Sequence, residues 1–387
     1  MPLPLESSGG RAVDPFAGLR DIRERRLKPV SERVFVEDPL RLLRAFRLSA
    51  QLGFSQDPSL LAGVRKHRRL ILKPAGERVR AELMALLGSP ESAVWLKTMD
   101  ETGLLTAVLE ELEPERRCAE VYYGAGGVLR HTLDAVARMD FLWSNLEKVF
   151  GELAAPLRAH LLEHHHDLSK HGALLKLAVL LHDVAKPDCA RQVQGRLRFF
   201  GHDHRGAEAV SRILRRLRCS RDEEHIAAAL TLHHLRPGNL AAAGAVTDKA
   251  VFRFFRDLGP LGVSQLLLCW ADHASYLQEA DLRKVLRWAS EDPHAFRPPK
   301  SLPEDTAKTL RHLQVIAYLL QRYFLQPDTA RPVRLLDGQE VMDLLGIPPG
   351  PPVGEVLRKL EEAQSEGRVR DREEALRFVR RLRLTKN

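Results

Sequence analysis

Two residues in the segment LLKLAVLLHDVAKP (174–187), His182 and Asp183, can do chemistry where almost everything around them is apolar. An ionisable pair at the end of such a buried helix costs several kcal/mol unless its charge is compensated, and a divalent ion is the strongest compensation available. The plain alternative is a helix-terminal histidine and an aspartate that caps the next element. Four other places add weight to the metal reading. His131 opens HTLDAVARMDFL, His202 lies in FFGHDHRGAEAV, His233 and His234 follow HIAAALTL, and Asp272 follows LLLCW. Each stands at the margin of a hydrophobic segment, as expected when several helices converge on one ion. Imidazole and carboxylate without thiolate suit Mg, Mn, Fe, Co, Ni or Zn rather than a structural zinc knot. Such an ion lowers the pKa of bound water and neutralises phosphate oxygens, so the chemistry expected of His182 and Asp183 is phosphate-ester hydrolysis. His202 or His233 would donate a proton to the leaving oxygen or hydrogen-bond the phosphate.

A second histidine-rich run, EHHHDLSKH (163–171), with His160 just before it, has no such context. Consecutive residues point around a helix rather than toward one site. It reads as a solvated loop with adventitious metal affinity.

The elements that must position these groups are helices. Apolar residues recur at three-and-four spacing along nearly every long segment, and alternating runs are scarce, so the expected fold is all-α. The expected divisions are 1–30, a helical unit over 31–120, a histidine-bearing unit over 121–285, and a basic helical region over 286–387 that begins with DPHAFRPPKSLPED. Lys and Arg outnumber Asp and Glu by 60 to 51, and the net charge of +9 is spread along the chain, which suits a polyanionic partner such as RNA without requiring one. The four cysteines lie far apart with no CxxC spacing, which argues against a disulfide framework or a thiolate zinc site. No apolar run reaches the ~18 residues of a membrane span, and the N-terminus has no secretory pattern, so the expected setting is cytoplasmic, away from membranes.

Upstream, VFVEDPLRLLRAFRLSAQLGF (34–54) predicts an amphipathic helix with Asp38 as N-cap and Pro39 in the first turn. Leu40, Leu43, Phe46 and Ala50 form its apolar stripe; Arg41, Arg44 and Arg47 form a cationic ridge. Toward the C-terminus, Gly350 and Gly354 open a helix carrying Arg358 and Lys359, leaving backbone N–H groups that could meet a phosphate.

These segments resemble known families. The order His131, His182-Asp183, Asp272 is similar to that of HD-domain metal-dependent phosphohydrolases. GHDHRGA and the His233-His234 pair resemble the extra ligands of the subgroup fused to tRNA nucleotidyltransferases. That resemblance implies a metal on His131, His182, Asp183 and Asp272, with His202 and His233 or His234 holding a second metal or the scissile phosphate. EDPLRLLRAFRLSAQLGF resembles the neck of bacterial CCA-adding enzymes and poly(A) polymerases, DPFAGLRDIRERRLKPV the end of their catalytic head, and LDGQEVMDLLGIPPGPPVGEVLRKL their body and tail. It implies that Glu37, Asp38 and Arg41, with Arg44 beside them, meet the edge of an incoming ATP or CTP base, since a carboxylate accepts from exocyclic amines and a guanidinium donates to ring acceptors.

Polymerising members of that family need a GS-type turn and an Asp-x-Asp pair ahead of the DPF segment, and neither stands there in this sequence. The expectation is therefore a chain lacking most of the head, with 1–30 as its remnant. It would act as an RNA-binding phosphohydrolase on phosphomonoesters or on 2′,3′-cyclic or 2′-phosphate ends, its partner being the tRNA acceptor end. Two alternatives stand beside it: a tRNA CCA or A nucleotidyltransferase whose head is truncated or supplied by a separate polypeptide, and a non-catalytic tRNA-binding protein.

Overall fold

The computed structural model describes residues 14–382. Among them helices dominate, and strands occur only as two two-stranded pairs, so the fold is all-α. The chain forms two compact units, one ending at Glu110 and one starting at Glu111. Met1–Leu5, the expected start of the head remnant, lie outside the described residues.

In the first unit the Arg41–Leu52 helix buries Leu42, Leu43, Ala45, Phe46 and Ser49 and packs on the Gly76–Leu87 helix. The buried face is broader than the expected stripe and leaves Ala50 only half-buried. Its start differs as well. A short helix, Val34–Glu37, ends at Asp38, and the long one begins only at Arg41. Asp38 is thus a turn residue whose Oδ1 accepts from the Leu40 N–H at 3.3 Å, and it is no N-cap. Pro39 accounts for the break after Glu37, because it disfavours helical geometry at Asp38, which is extended. Gly53 closes the helix at φ 64°, a left-handed position that glycine adopts without steric cost. Phe35 lies so close over Gly63 that a Cβ there would come within 2.7 Å of its ring.

In the second unit the Gly127–Ser144, Leu168–Leu181 and Leu261–Ala274 helices pack together as the centre of the core. Every residue from His171 to Leu181 is buried, as its all-round apolar sequence requires. Lys176, the lysine in this stretch, is buried as well, its ammonium 2.6 Å from Asp140 Oδ1. The helix stops at Leu181. Lys186 and Pro187 open the short Lys186–Cys189 helix, where proline's missing N–H has no intrahelical role. The His202–Arg216 helix lies against Arg221–His233, which a Ser220/Glu223 capping box starts. Between these parts, Arg191–Val193 pairs antiparallel with Arg196–Arg198. Gln194 and Gly195 turn the hairpin at φ 50° and 71°, the two left-handed positions that match the strand twist. The Gly338–Leu345, Pro351–Ser365 and Arg372–Arg381 helices close around a separate apolar cluster that includes Val341, Val356, Leu360 and Val379.

Candidate metal centre and nucleotide-facing helix

Two adjoining groups of buried ligands stand at the ends of helices in the second unit: His131, His182 and Asp272, and Asp183, His202 and His234. Within each group the ligand atoms lie within 4.8 Å of one another. His131 is on the fifth residue of its helix rather than the first, His182 ends the buried helix, His202 begins one, His234 caps one and Asp272 sits near the end of another. Asp183 lies between the groups. Its Oδ2 is 3.3 Å from His182 Nε2 and 3.7 Å from His131 Nε2, and its Oδ1 is 3.5 and 3.6 Å from the Nε2 atoms of His202 and His234. His131 Nε2 also faces Asp272 Oδ1 at 3.1 Å.

Backbone geometry fixes which nitrogen each ring presents. Nδ1 of His182, His202 and His234 donates to the carbonyls of Val179, Phe199 and Thr231 at 2.7, 2.7 and 2.6 Å. Nδ1 therefore carries the proton in the neutral ring, and the Nε2 lone pair points inward, the arrangement that orients metal-binding histidines. His131 Nδ1 meets Ser275 Oγ at 3.0 Å. His131 Nε2, His182 Nε2, Asp183 Oδ1 and Asp272 Oδ1 are buried with no hydrogen-bond partner. Four converging orphaned atoms in one core are costly as polar groups, and a divalent ion would satisfy all of them. The donor set fits a hard or borderline ion.

Without an ion, the carboxylates hold a second proton on His182 that a bound cation would displace. Burial opposes a charge on Asp183, but His182 and Lys186 outweigh it and hold the carboxyl well below its ordinary range. For His182 burial is likewise the largest single influence, and Asp183 with Asp272 overcomes it, so its proton is held well above the usual imidazole range. Desolvation keeps His234 neutral down to about 4, leaving its Nε2 free to coordinate.

Sequence reading named these positions, and the structure brings six of the seven metal candidates together. His233 is the one left out. Half-buried, it lies on the side of Arg236 and Asp203, one step of helical rotation from His234, whose Nε2 is 3.2 Å from that of His202. The groups that sequence reading passed over are supports. Lys186 Nζ bonds Asp183 Oδ2 and the Tyr123 hydroxyl, and the Tyr123 ring stacks on His131 at 4.7 Å. Glu115 is fully buried near Asp183, and burial raises its carboxyl well above its ordinary range. The spacing of Lys186, three residues after Asp183, was the one signal available. The histidine run differs too: His160 and His171 are buried, and His165 stacks on His171 at 3.5 Å, while His164 and His166 are exposed. Two of the five histidines are therefore core; His171 is so because Asp167, within the run, caps the start of the buried Leu168–Leu181 helix.

In the first unit Asp38 lies 3.6 Å from both Arg44 and Arg78, and Arg41 pairs with Glu37 at 3.6 Å while donating to the Val34 carbonyl. The cationic ridge is partly neutralised, because the buried Glu82 carboxylate takes Arg44 Nε at 2.9 Å and Arg47 Nε at 2.5 Å. Arg41 and Arg44 line a cavity of about 320 Å³ with Lys28, Phe35, Ala45, Leu48 and other apolar residues. Two guanidiniums at the rim of an apolar slot suit a planar heterocycle bearing a phosphate.

Comparison with known proteins decides the family. A family model described as "Probable RNA and SrmB- binding site of polymerase A" matches residues 53–116. An A-adding tRNA nucleotidyltransferase of Deinococcus radiodurans is 35% identical, the match covering 96% of this chain and 75% of the relative. A CC-adding tRNA nucleotidyltransferase of Thermus thermophilus is 33% identical over 96% of this chain and 73% of its own length. Among solved structures, a CCA-adding enzyme in complex with CTP shares the fold at a TM-score of 0.55 and 16% identity, covering 95% of this chain. The chain spans 65% of the length of that solved enzyme. These relatives overturn phosphohydrolysis as the main function: they are named for adding nucleotides to tRNA, whereas a histidine–aspartate cluster specifies an ion and leaves the reaction open. The chain belongs to the family of CCA-adding tRNA nucleotidyltransferases.

Proposed function

We propose that this chain acts in tRNA 3′-end nucleotide addition, as the RNA- and nucleotide-recognising portion of an A- or CC-adding enzyme. The observation that carries this reading is the similarity to A- and CC-adding tRNA nucleotidyltransferases along 96% of the chain. In the first unit Asp38 and Arg41, with Glu37 and Arg44, would read the edge of ATP or CTP beside the apolar slot. Residues 31–120 would serve as neck and 286–387 as body and tail along the acceptor stem; the match at 53–116 supports an RNA role for the neck. The sequence contains no Asp-x-Asp pair, so the polymerising carboxylates would come from a head domain outside these residues, joined to the chain or supplied separately. In the 121–285 region, His131, His182, Asp183 and Asp272, with His202 and His234, would hold a divalent ion that fixes the ends of five helices. A tRNA substrate would put the reaction in the cytoplasm.

The test combines this chain with a nucleotidyltransferase head carrying the GS and Asp-x-Asp motifs, tRNA lacking its 3′ end, and labelled ATP or CTP. Incorporation that requires both polypeptides is expected, and Asp38→Ala or Arg41→Ala should abolish nucleotide choice while tRNA is still bound. A chain that neither binds tRNA nor supports incorporation would sink the reading.

A further inference from the structure

The Arg191–Arg198 hairpin has a charge pattern that protein folding alone does not favour. Its register makes Arg191 the partner of Arg198, Gln192 of Leu197, and Val193 of Arg196. Directly opposed residues point to the same side, so Arg191, Arg196 and Arg198 share one face with Val193, and Leu197 lies on the other. Leu197 is the half-buried member, and the arginines are exposed. Like charges directly across a ladder repel one another. Among the described residues no carboxylate pairs with any of the three; Arg191 reaches only the carbonyls of Asp188 and Ala190. The hairpin is nonetheless held in place, because the Tyr122 hydroxyl bonds both the N–H and the carbonyl of Leu197 at 3.1 Å.

Aromatic surface accompanies the charge. Phe200, two residues beyond the hairpin, is 72% exposed and has no ring partner among the described residues. Tyr122 is 53% exposed. The chain then runs through Gly201 directly into His202, whose Nδ1 bonds the Phe199 carbonyl.

We infer that the arginine face of this hairpin, with Phe200 beside it, is a docking surface for one single strand of RNA. Three guanidiniums without carboxylate partners complement a phosphate backbone, and an anion between Arg191 and Arg198 removes their repulsion. Stacking on an exposed ring requires bases that are not already stacked in a helix, which selects a single strand over a duplex. The inference rests on the RNA-handling function proposed above and adds a surface to it. A strand seated there is led through Gly201 toward His202 and the histidine–aspartate cluster.

The experiment uses the full chain and a short fluorescent single-stranded RNA of mixed sequence, with a duplex of equal length and tRNA as further probes, titrated at several KCl concentrations. In Arg196→Glu/Arg198→Glu, single-strand affinity should fall at least tenfold and the salt slope by about 1.4, roughly 0.7 for each phosphate no longer neutralised. Phe200→Ala should weaken single-strand binding about fivefold or more and leave the salt slope unchanged. Arg158→Glu, at a half-buried arginine elsewhere on the same unit that pairs with Glu147, should bind as the parent does. If the parent binds tRNA and the hairpin variants match it in affinity and slope, the hairpin surface is wrong and the tRNA reading stands. A parent that binds no RNA sinks both, and equal losses in Arg158→Glu and the hairpin variants reduce the effect to net charge and overturn the surface.

Discussion

The second unit buries histidines in two places and uses them in opposite ways. Around Asp183, four rings turn their Nε2 atoms toward two carboxylates, and the Nδ1 atoms of three of them are pinned on backbone carbonyls. Around His171, the rings stack on each other and on aromatic neighbours: His165 on His171 at 3.5 Å, and His160 edge-on to Tyr323 at 5.3 Å. His171 Nε2 meets Ser264 Oγ at 2.9 Å, and His160 Nε2 donates to the Pro260 carbonyl at 3.1 Å. Among the described residues, groups of three or more ligands occur only around Asp183. Histidine count is therefore a poor guide to a metal site. What separates the two places is a carboxylate within reach of the rings.

The widest break in this comparison should come from Asp183→Ala. It leaves the buried Lys186 ammonium without its carboxylate, a loss of about 3–5 kcal/mol in denaturant unfolding. Manganese or zinc should raise the unfolding midpoint of the parent and leave that of the variant unmoved; a drop under ~1 kcal/mol would mean that the centre is not electrostatically organised.

The next effect is one of pH. Burial lowers His171 to about 3 and His165 to about 4, so both stay neutral in the folded state. The unfolded imidazoles protonate below about 6.5, so stability is full above that pH and is lost as pH falls toward 4 and 3. For His171 the loss is on the order of 5 kcal/mol. His171→Leu should flatten the unfolding free energy across this window relative to the parent, and an unchanged slope would show that the ring is not held neutral. His182 runs the other way: its raised pKa gives stability that is present at low pH and lost as pH rises through the folded value.

Smaller differences separate adjacent residues. His234→Ala should weaken divalent-ion binding at least about tenfold in a chelator competition, since even outer supports of metal ligands are worth that much. His233→Ala, one residue away, should leave ion binding unchanged and stability within about 0.5 kcal/mol. A reversal of these two outcomes would place the ring from the other histidine in the centre.

Much of the centre was legible in the sequence because its ligands interrupt long apolar segments, and an interruption of that kind stands out wherever the partners lie. The choice between His233 and His234 was not, since it depends on the rotation of the Arg221–His233 helix against the His202–Arg216 helix. Nor was the burial of His160 and His171, which follows from packing against Pro260 and Ser264, about a hundred residues on. The arginine ridge was visible, yet its neutralisation by Glu82 was hidden, because an ion pair 35 to 38 residues apart has no local signature. Reading function from the ligand set misled: the histidine–aspartate pattern pointed to hydrolysis, while the relatives are nucleotidyltransferases.

By itself, the sequence determined the all-α fold through its three-and-four apolar spacing, and the family through motifs spread along nearly the whole chain. Those are local or additive properties, carried by each segment whatever it packs against. Tertiary structure alone decided which histidines converge, which arginines stay unpaired and which face of the hairpin meets solvent. These depend on helix rotation and strand register, and both are settled only when buried faces from distant segments close on one another.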